Sequence, residues 1–288
     1  MKKNIIIYVI SIFFIYLIFT NQKLIITAVL NSSILFISRV LPYFLPMFII
    51  SKILINYNLP YYISKIFKNN IYVYILIISF ISGCPNNVIL IKDLLNKNII
   101  NISEANKYIK CTFFQNPLFL YAMISKLFNS KIAIIILLVQ LLSNIILYMI
   151  KPIKNNIVNK SLSINIADLL VNTINDSINI LLYIYITIVI FNIFIALLPK
   201  FLLYFTGIFE ITSGLNFLIN VTNNLTKMLL TIIYISFGGL AIHIQIKSVL
   251  KDTNISYTNF LLSRFYQLFI QVVLLELAIL RYSSLFWK

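Results

Sequence analysis

The sequence predicts an all-α polytopic membrane protein made of two related halves that contain broken helices. Its residues are 61% hydrophobic and only 10% charged, whereas about a quarter of the residues of a soluble domain are charged. Charge-free apolar runs recur along the chain, and several approach the roughly 20 residues that a membrane-spanning helix needs. One run is interrupted by small and polar residues, and a diverged copy of it returns further along. These three observations agree on the fold class.

The net charge of +16 is interpreted as a sign of membrane topology. The cations are spread between apolar segments, whereas a nucleic-acid surface needs them clustered on one face, so no nucleic-acid partner is expected. Basic residues beside spans are typical of cytoplasmic loops. The Lys2-Lys3 end and the basic linker 151–165 are therefore predicted to be cytoplasmic. The linker divides a first membrane repeat with its leading helix, residues 1–150, from a second repeat, residues 166–288.

Four charge-free runs mark the clearest spans: Ile5–Thr20, Ile132–Ile150, Ser177–Pro199 and Met228–Ile246. The first follows a basic start as a signal peptide does, but it lacks a small-x-small cleavage site, so an uncleaved helix is predicted.

The stretch from Leu24 to Asn56 is predicted to form two elements. An amphipathic helix runs as far as Arg39, and a span follows. Its first turn holds Pro42 and Pro46, because the missing proline N–H groups cost little there. Near the other end of the chain, an amphipathic stretch from Ser256 precedes a final apolar segment, Phe265–Leu280.

The run Ile71–Ile91 is long enough to cross a membrane, but Ser82–Asn87 interrupts it, which favours two short helices that meet at a break. The diverged copy places Ser236–Gly239 at the matching position. Repeated halves with interrupted helices are typical of secondary transporters. Freed backbone at membrane depth is tolerated only where protein or a water-filled cavity satisfies it. One site between the two halves is expected. The residues alone leave open whether the repeats are parallel or inverted.

The predicted substrate-binding residues come from these interruptions. In the first half, Gly83 permits a turn and the next helix then presents unpaired N–H donors and a partial positive charge, which together bind anions. Carboxamides orient a polar ligand without a buried charge. The alternatives are a kinked helix whose asparagines bond a neighbour, and an ordinary loop at residues 115–117. The set comprises Ser82, Gly83, Asn86, Asn87, Gln115, Asn116, Ser236, Gly238 and Gly239.

Glu210 and His243 are candidates for coupling transport to a proton. Glu210 is the only charged residue in a long apolar stretch, and an intramembrane carboxylate is a functional hypothesis by default. The alternative places it in a surface loop. The lone His243 lies in the second interruption, where hydrogen-bonded packing is the alternative. The two cysteines, Cys84 and Cys111, have no metal spacing. No protease, phosphate-loop or triad motif is present, so neither a metal, a cofactor nor enzyme activity is expected.

An ordered set of short motifs covers most of the chain, from Leu41 to Gln267, and resembles the sporulation integral membrane protein family typified by YlbJ, which carries the nucleoside-recognition Gate domain. The motifs are Leu41-Pro-x3-Pro46-x-Phe48, Ile81-Ser-Gly-x-Pro85, Asn116-Pro-Leu-Phe119, Gly207-x-x-Glu-Ile-Thr-x-Gly214, Ser236-Phe-Gly-Gly-Leu-x-Ile-His243-x-Gln245 and Lys251-Asp-Thr253.

This resemblance implies a fold similar to concentrative nucleoside transporters, with inverted repeats and re-entrant hairpins. It implies transport of a small organic anion, dipicolinic acid first, across the outer forespore membrane during endospore formation. Two alternatives stay open: transport of nucleosides or another small metabolite, and a non-transporting sporulation scaffold. The expected partners are the substrate, the lipid bilayer, and either a second copy of the chain or other sporulation membrane proteins.

Overall fold

Helices make up nearly all of the described chain, and no strand occurs in it. The structure, a computed structural model, describes residues 8, 12, 15–57, 59–67, 70–150 and 166–281. The all-α class is therefore confirmed over this part of the chain. The linker 151–165 and the Lys2-Lys3 end lie outside the described residues, as does much of the leading helix Ile5–Thr20. Its residues 15–20 are described and are helical.

The α-helices follow one another with short connections. In chain order they are α1 (Gln22–Leu35), α2 (Leu41–Asn56), α3 (Leu59–Ile66), α4 (Ile71–Ser82), α5 (Asn86–Asn96), α6 (Ile102–Cys111), α7 (Pro117–Leu127), α8 (Ser130–Met149), α9 (Ile166–Ala196), α10 (Thr206–Phe209), α11 (Ile211–Leu218), α12 (Asn224–Phe237), α13 (Gly239–Leu250) and α14 (Tyr257–Arg281). A π-helical turn, Phe36–Val40, joins α1 to α2, and a 3₁₀-helix, Lys200–Phe205, precedes α10.

Five helical runs in the described chain are long and apolar enough to cross a membrane: Gln22–Leu54, Ser130–Met149, Leu170–Ala196, Asn224–Leu250 and Tyr257–Arg281. Many of their large apolar side chains are exposed, as lipid-facing side chains are; Phe269 is 72% and Leu280 80% exposed. By length, composition and surface, the chain is an integral membrane protein that crosses the bilayer several times.

Two of these spans are longer than predicted. Gln22–Leu54 is one helical run of 33 residues, so the predicted division at Arg39 is wrong. Pro42 lies in the first turn of α2, as predicted, whereas Pro46 lies inside that helix. Pro42 has no N–H group to donate to the carbonyl one turn earlier. Just before it, the helix widens into the π-helical turn, and the Leu41 N–H donates to the Phe36 carbonyl. Tyr257–Arg281 is likewise one helix rather than two segments.

The packed interior has two parts. The larger apolar cluster joins α4 to α8 with α11 to α14. A smaller cluster joins the first span to α9, through Val40, Phe44 and Phe48 on one side and Ile184 and Ile188 on the other. The buried apolar residues at the broken segments, Cys84, Phe113 and Ile211, belong to the larger cluster. This packing fixes the irregular backbone in the middle of the bundle.

Candidate functional site

The first half holds two backbone breaks side by side. Helix α4 ends at Ser82 and α5 begins at Asn86, while Thr112–Asn116 connects α6 to α7 without helical structure. The Cys84 N–H donates to the Phe114 carbonyl over 2.7 Å. Gly83, with φ of +74°, approaches so closely that a Cβ on it would lie 2.5 Å from the backbone nitrogen of Asn116. Only glycine fits this contact.

Carboxamides satisfy the backbone that these breaks release. The Asn116 Oδ1 accepts from the N–H groups of Leu118 and Phe119, both at 3.1 Å, and so caps α7. From α8, the Asn144 side chain bonds Phe113 twice, accepting from its N–H at 3.2 Å and donating to its carbonyl at 2.8 Å. The Asn87 Nδ2 donates to the Thr112 carbonyl at 2.9 Å. Paired in this way, irregular backbone is stable away from water.

The second half contains a hairpin that the sequence showed only as a turn. Helices α10 and α11 pack so tightly that a Cβ on Gly214 would lie 2.1 Å from the Gly207 Cα. A Cβ on Gly207 would lie 2.2 Å from the Tyr234 ring of α12. Between the two helices lies Glu210, which is 2% exposed. Its carboxylate accepts from the N–H groups of Thr212 and Ser213 at 2.9 and 2.7 Å. Glu210 is therefore a buried helix cap, and the surface-loop alternative is wrong.

The break between α12 and α13 lies at Gly238 and Gly239, whose φ angles are +88° and +79°. His243 stabilises it from the next turn, because its Nε2 lies 3.0 Å from the Phe237 carbonyl. A carbonyl only accepts, so Nε2 carries the proton and Nδ1 accepts from the Tyr257 hydroxyl at 2.9 Å. Both ring nitrogens thus have structural partners. The coupling role of His243 stays a prediction.

The breaks of the two halves meet at Gly238. A Cβ there would lie 2.5 Å from Cζ of Phe113 and 3.3 Å from Nε2 of Gln115, in the first half. The neighbouring Gly239 faces the hairpin, since its Cβ would lie 3.2 Å from the Ile211 nitrogen. The backbone interruptions at residues 83–85, 112–116, 210 and 238–239 therefore converge on one buried region.

A small cavity lined by buried residues lies at this convergence, with a volume of about 40 Å³. Its polar lining comes from both halves: Gln115, Glu210, Thr212 and Gln245. Apolar residues from every surrounding segment complete it: Val40, Phe44, Cys84, Pro85, Phe119, Ile184, Ile188, Ile211, Ala241 and Ile242. A water molecule needs roughly 10–15 Å³ by this measure, whereas ligand pockets run to about 300–1,000 Å³. The cavity has room for a few water molecules and is too small for a metabolite in this conformation.

Among the nine predicted binding residues, Gln115 borders the cavity, and its neighbours in the first break, Cys84 and Pro85, do so as well. The others lie around the breaks without bordering it. The hydroxyl of Ser82 bonds the Ile78 carbonyl at 2.7 Å, and that of Ser236 bonds Gln271 at 2.5 Å. The first donors of α5 are also used: the Asn87 and Val88 N–H groups bond the Gly83 and Pro85 carbonyls. The free N–H donors predicted at this helix start are therefore absent at these two residues.

Three amide atoms at the first-half breaks are buried and have no hydrogen-bond partner: Oδ1 of Asn87, Nε2 of Gln115 and Nδ2 of Asn116. An unpaired buried polar atom costs about 1–3 kcal/mol, and in native structures it usually meets water, an ion or a ligand. These atoms are the strongest indication of polar occupancy in this region.

Sequence reasoning missed Arg264 of α14, which is 1% exposed. Its Nη2 donates to the Lys110 carbonyl and the Ser263 hydroxyl, both at 2.9 Å, and the guanidinium lies 4.2 Å from the Phe113 ring centroid. No carboxylate within the described ranges forms an ion pair with it. The detectable signal was a polar stripe, Ser263, Arg264, Gln267 and Gln271, on one face of an otherwise apolar helix.

Comparison of this chain with protein-family models, with curated proteins and with solved structures finds no match.

Proposed function

We propose that this chain is a secondary-type membrane transporter of a small organic anion, with dipicolinic acid as the leading substrate. The observation that carries this proposal is the convergence of backbone breaks from both halves on one buried cavity with unpaired amides beside it. Transporters bind substrates where discontinuous helices meet near the middle of the bilayer. A scaffold would need none of these unpaired buried atoms, which reduce its stability. Nucleosides or another small metabolite remain the second choice of substrate.

The order of elements supports a two-half architecture. In each half, a long helical run is followed by two breaks and then by a span. In the first half these are Gln22–Leu54, the breaks at 83–85 and 112–116, and α8. In the second half they are α9, the breaks at 210 and 238–239, and α14. By the order of elements, the break at 83–85 corresponds to the break at Glu210. By the repeated sequence segments, the same break corresponds to the one at Gly238 instead. The proposed inverted repeat, as in concentrative nucleoside transporters, is based on the order of elements.

The charges near the cavity favour anion transport that is linked to protons. Glu210 is the one acidic residue in the cavity lining, and its carboxylate would repel an incoming anion. Uptake of a proton by Glu210 together with the substrate removes this repulsion. Arg264 contributes a buried positive charge behind the Phe113 ring. Under the proposal, Glu210 couples transport to protons and Arg264 makes the region attractive to anions.

The decisive experiment is uptake of radiolabelled dipicolinate into liposomes that contain the purified protein. Wild type should accumulate label above empty liposomes, and unlabelled dipicolinate should compete. Gln115→Leu removes an amide that borders the cavity and whose Nε2 has no partner. Uptake should therefore fall at least tenfold while folding is kept. The exposed Asn224 provides the matched control, Asn224→Leu.

Each outcome of this experiment supports one hypothesis about the function. Uptake of a labelled nucleoside but not of labelled dipicolinate, measured in the same liposomes, assigns the site to nucleosides. Absence of uptake for both, with correctly folded protein, supports the scaffold. Normal uptake by Gln115→Leu moves the site away from this cavity. A fluorescent fusion imaged during sporulation tests the proposed outer forespore membrane, because that location predicts a complete ring around the forespore.

A further inference from the structure

A second, much larger space lies between α1, α9 and α11. It is a groove of about 530 Å³ that opens to the outside of the helix bundle. Its volume lies within the range of small-molecule sites, about 300–1,000 Å³. Six polar residues line it: Asn31, Ser38, Arg39, Asn192, Ser213 and Asn216. The groove thus brings polar groups together on a bundle that exposes many large apolar side chains.

Arg39 gives the groove its charge. It lies near the middle of the 33-residue span Gln22–Leu54, within the π-helical turn. The guanidinium donates to the sulfur of Met123 at 3.0 Å, and it forms no ion pair with a carboxylate in the described part of the chain. Most of its five N–H donors are therefore free for a ligand. A charged side chain inside a span typically marks a substrate or ion pathway.

The groove and the central cavity lie next to each other. Along α9, Ile188 lines the cavity and Asn192 lines the groove, which are roughly 6 Å apart at 1.5 Å per residue. In the first span, Arg39 lines the groove and the next residue, Val40, lines the cavity. In α11, Thr212 lines the cavity and Ser213 the groove. Residues that are neighbours in three different elements therefore line the two spaces, so the groove and the cavity lie close to each other.

We infer that this groove is an outer binding site for the carboxylate of a small organic anion, held by Arg39. The planar guanidinium matches a carboxylate with two parallel hydrogen bonds, and Asn31 and Asn216 offer amide donors around it. The Asn192 amide is already bonded to Ser32 and Ser213. Buried Val40 and Ile188, with the α10–α11 hairpin, then form the gate to the cavity. The position of this site on a transport route rests on the proposed function, whereas binding itself does not.

Equilibrium binding of labelled dipicolinate to the purified protein in lipid nanodiscs tests the site without transport. Arg39→Gln should weaken binding at least tenfold, and Arg39→Lys should weaken it less, because charge remains but the paired hydrogen bonds do not. Added salt should weaken wild-type binding more than binding to Arg39→Gln. The control is Lys23→Gln, which removes an exposed cation from the same helix and should leave affinity within about twofold of wild type.

Uptake measurements on the same variants separate this inference from the proposed function. An outer site predicts that Arg39→Gln raises KM about tenfold with little change in the maximal rate, whereas Gln115→Leu lowers the maximal rate. Arg39-dependent binding without any wild-type uptake keeps the groove and rejects transport. Wild-type uptake with an unchanged KM in Arg39→Gln rejects the groove. Failure of folded wild type to bind dipicolinate also rejects it.

Discussion

The two halves hold their backbone breaks together by different means. In the first half, side-chain amides do most of it, beside one close glycine contact at Gly83: Asn87, Asn116 and Asn144 bond the released carbonyl and N–H groups. In the second half, glycines bring the backbones into contact, and a single carboxylate, Glu210, caps the short helix. A hydrogen-bonded break tolerates small shifts of its partners, whereas a contact without room for a Cβ does not. The second half should therefore be the less tolerant of substitution.

The largest effect is expected for Gly214→Ala. Its added Cβ would meet the Gly207 backbone at 2.1 Å, so the hairpin must open. Overpacking of this kind costs about 3 kcal/mol or more when backbone blocks relief. The thermal midpoint of the detergent-purified protein should fall strongly. Gly207→Ala meets the Tyr234 ring instead. Tyr234→Ala should restore part of the thermal stability that Gly207→Ala loses, because it removes the ring that the new Cβ meets. Tyr234→Ala should not restore the stability of Gly214→Ala, whose Cβ meets backbone. A Gly214→Ala protein as stable as wild type would mean that the glycine contact does not distinguish the halves.

A smaller loss is expected for Asn144→Leu in the first half. It removes both hydrogen bonds to Phe113 and leaves buried backbone groups poorly paired. Because interhelical hydrogen bonds in membranes contribute only about 0.6–1.7 kcal/mol, the loss should be about 1–2 kcal/mol. Leu142→Ala on the exposed face of the same helix is the control. If both variants unfold at the same denaturant concentration, the amides do not hold this break, and packing holds both halves.

The smallest change in stability, and the sharpest change in function, is expected for Glu210→Gln. The glutamine oxygen still accepts from one of the two N–H groups that start α11, whereas its NH2 group cannot accept from the other, so the loss should be about 1 kcal/mol. Ionisation at this position is lost, so uptake should stop or lose its dependence on external pH. Parallel uptake curves for wild type and variant over a range of pH provide the test. Curves of identical height and shape would leave Glu210 with a capping role alone.

The first-half breaks could be predicted from the sequence because their causes are local. Gly83 supplies a positive φ, and Pro85 and Pro117 cannot continue a preceding helix. The hairpin around Glu210 could not be predicted in the same way. Its tight turn depends on a glycine–glycine contact and on the Tyr234 ring, which comes from another helix. Local signals mark where a helix stops, and tertiary contacts decide what it packs against.

Burial of charged side chains was the second feature that the sequence did not predict. The sequence shows that Arg264 lies in a helix, but its burial depends on Phe113 and Lys110, which lie far away along the chain. Arg39 was interpreted as a boundary because a charge within a span is rare. The groove that accommodates it exists only once α9 and α11 pack beside the first span. Membership of the proposed family, the repeats and the substrate stay predictions.

The contact between Gly207 and the Tyr234 ring has a mechanical consequence. The Tyr234 hydroxyl also donates to the Tyr204 carbonyl at 2.6 Å, so Tyr234 holds α12 to the hairpin at Gly207 and to the preceding 3₁₀-helix at Tyr204. The hairpin and α12 should therefore travel as one rigid lever. The hinge for its movement is the pair Gly238 and Gly239, whose φ angles are positive.

A lever of this kind makes opening a single, all-or-none step, because the groove cannot widen at the hairpin unless α12 tilts with it. Spin labels on exposed Ile219 and Leu225 should keep one separation throughout transport. The separation between Leu225 and exposed Ile244 of α13 should change as the lever turns. A variable distance within the first pair would mean that the hairpin bends alone.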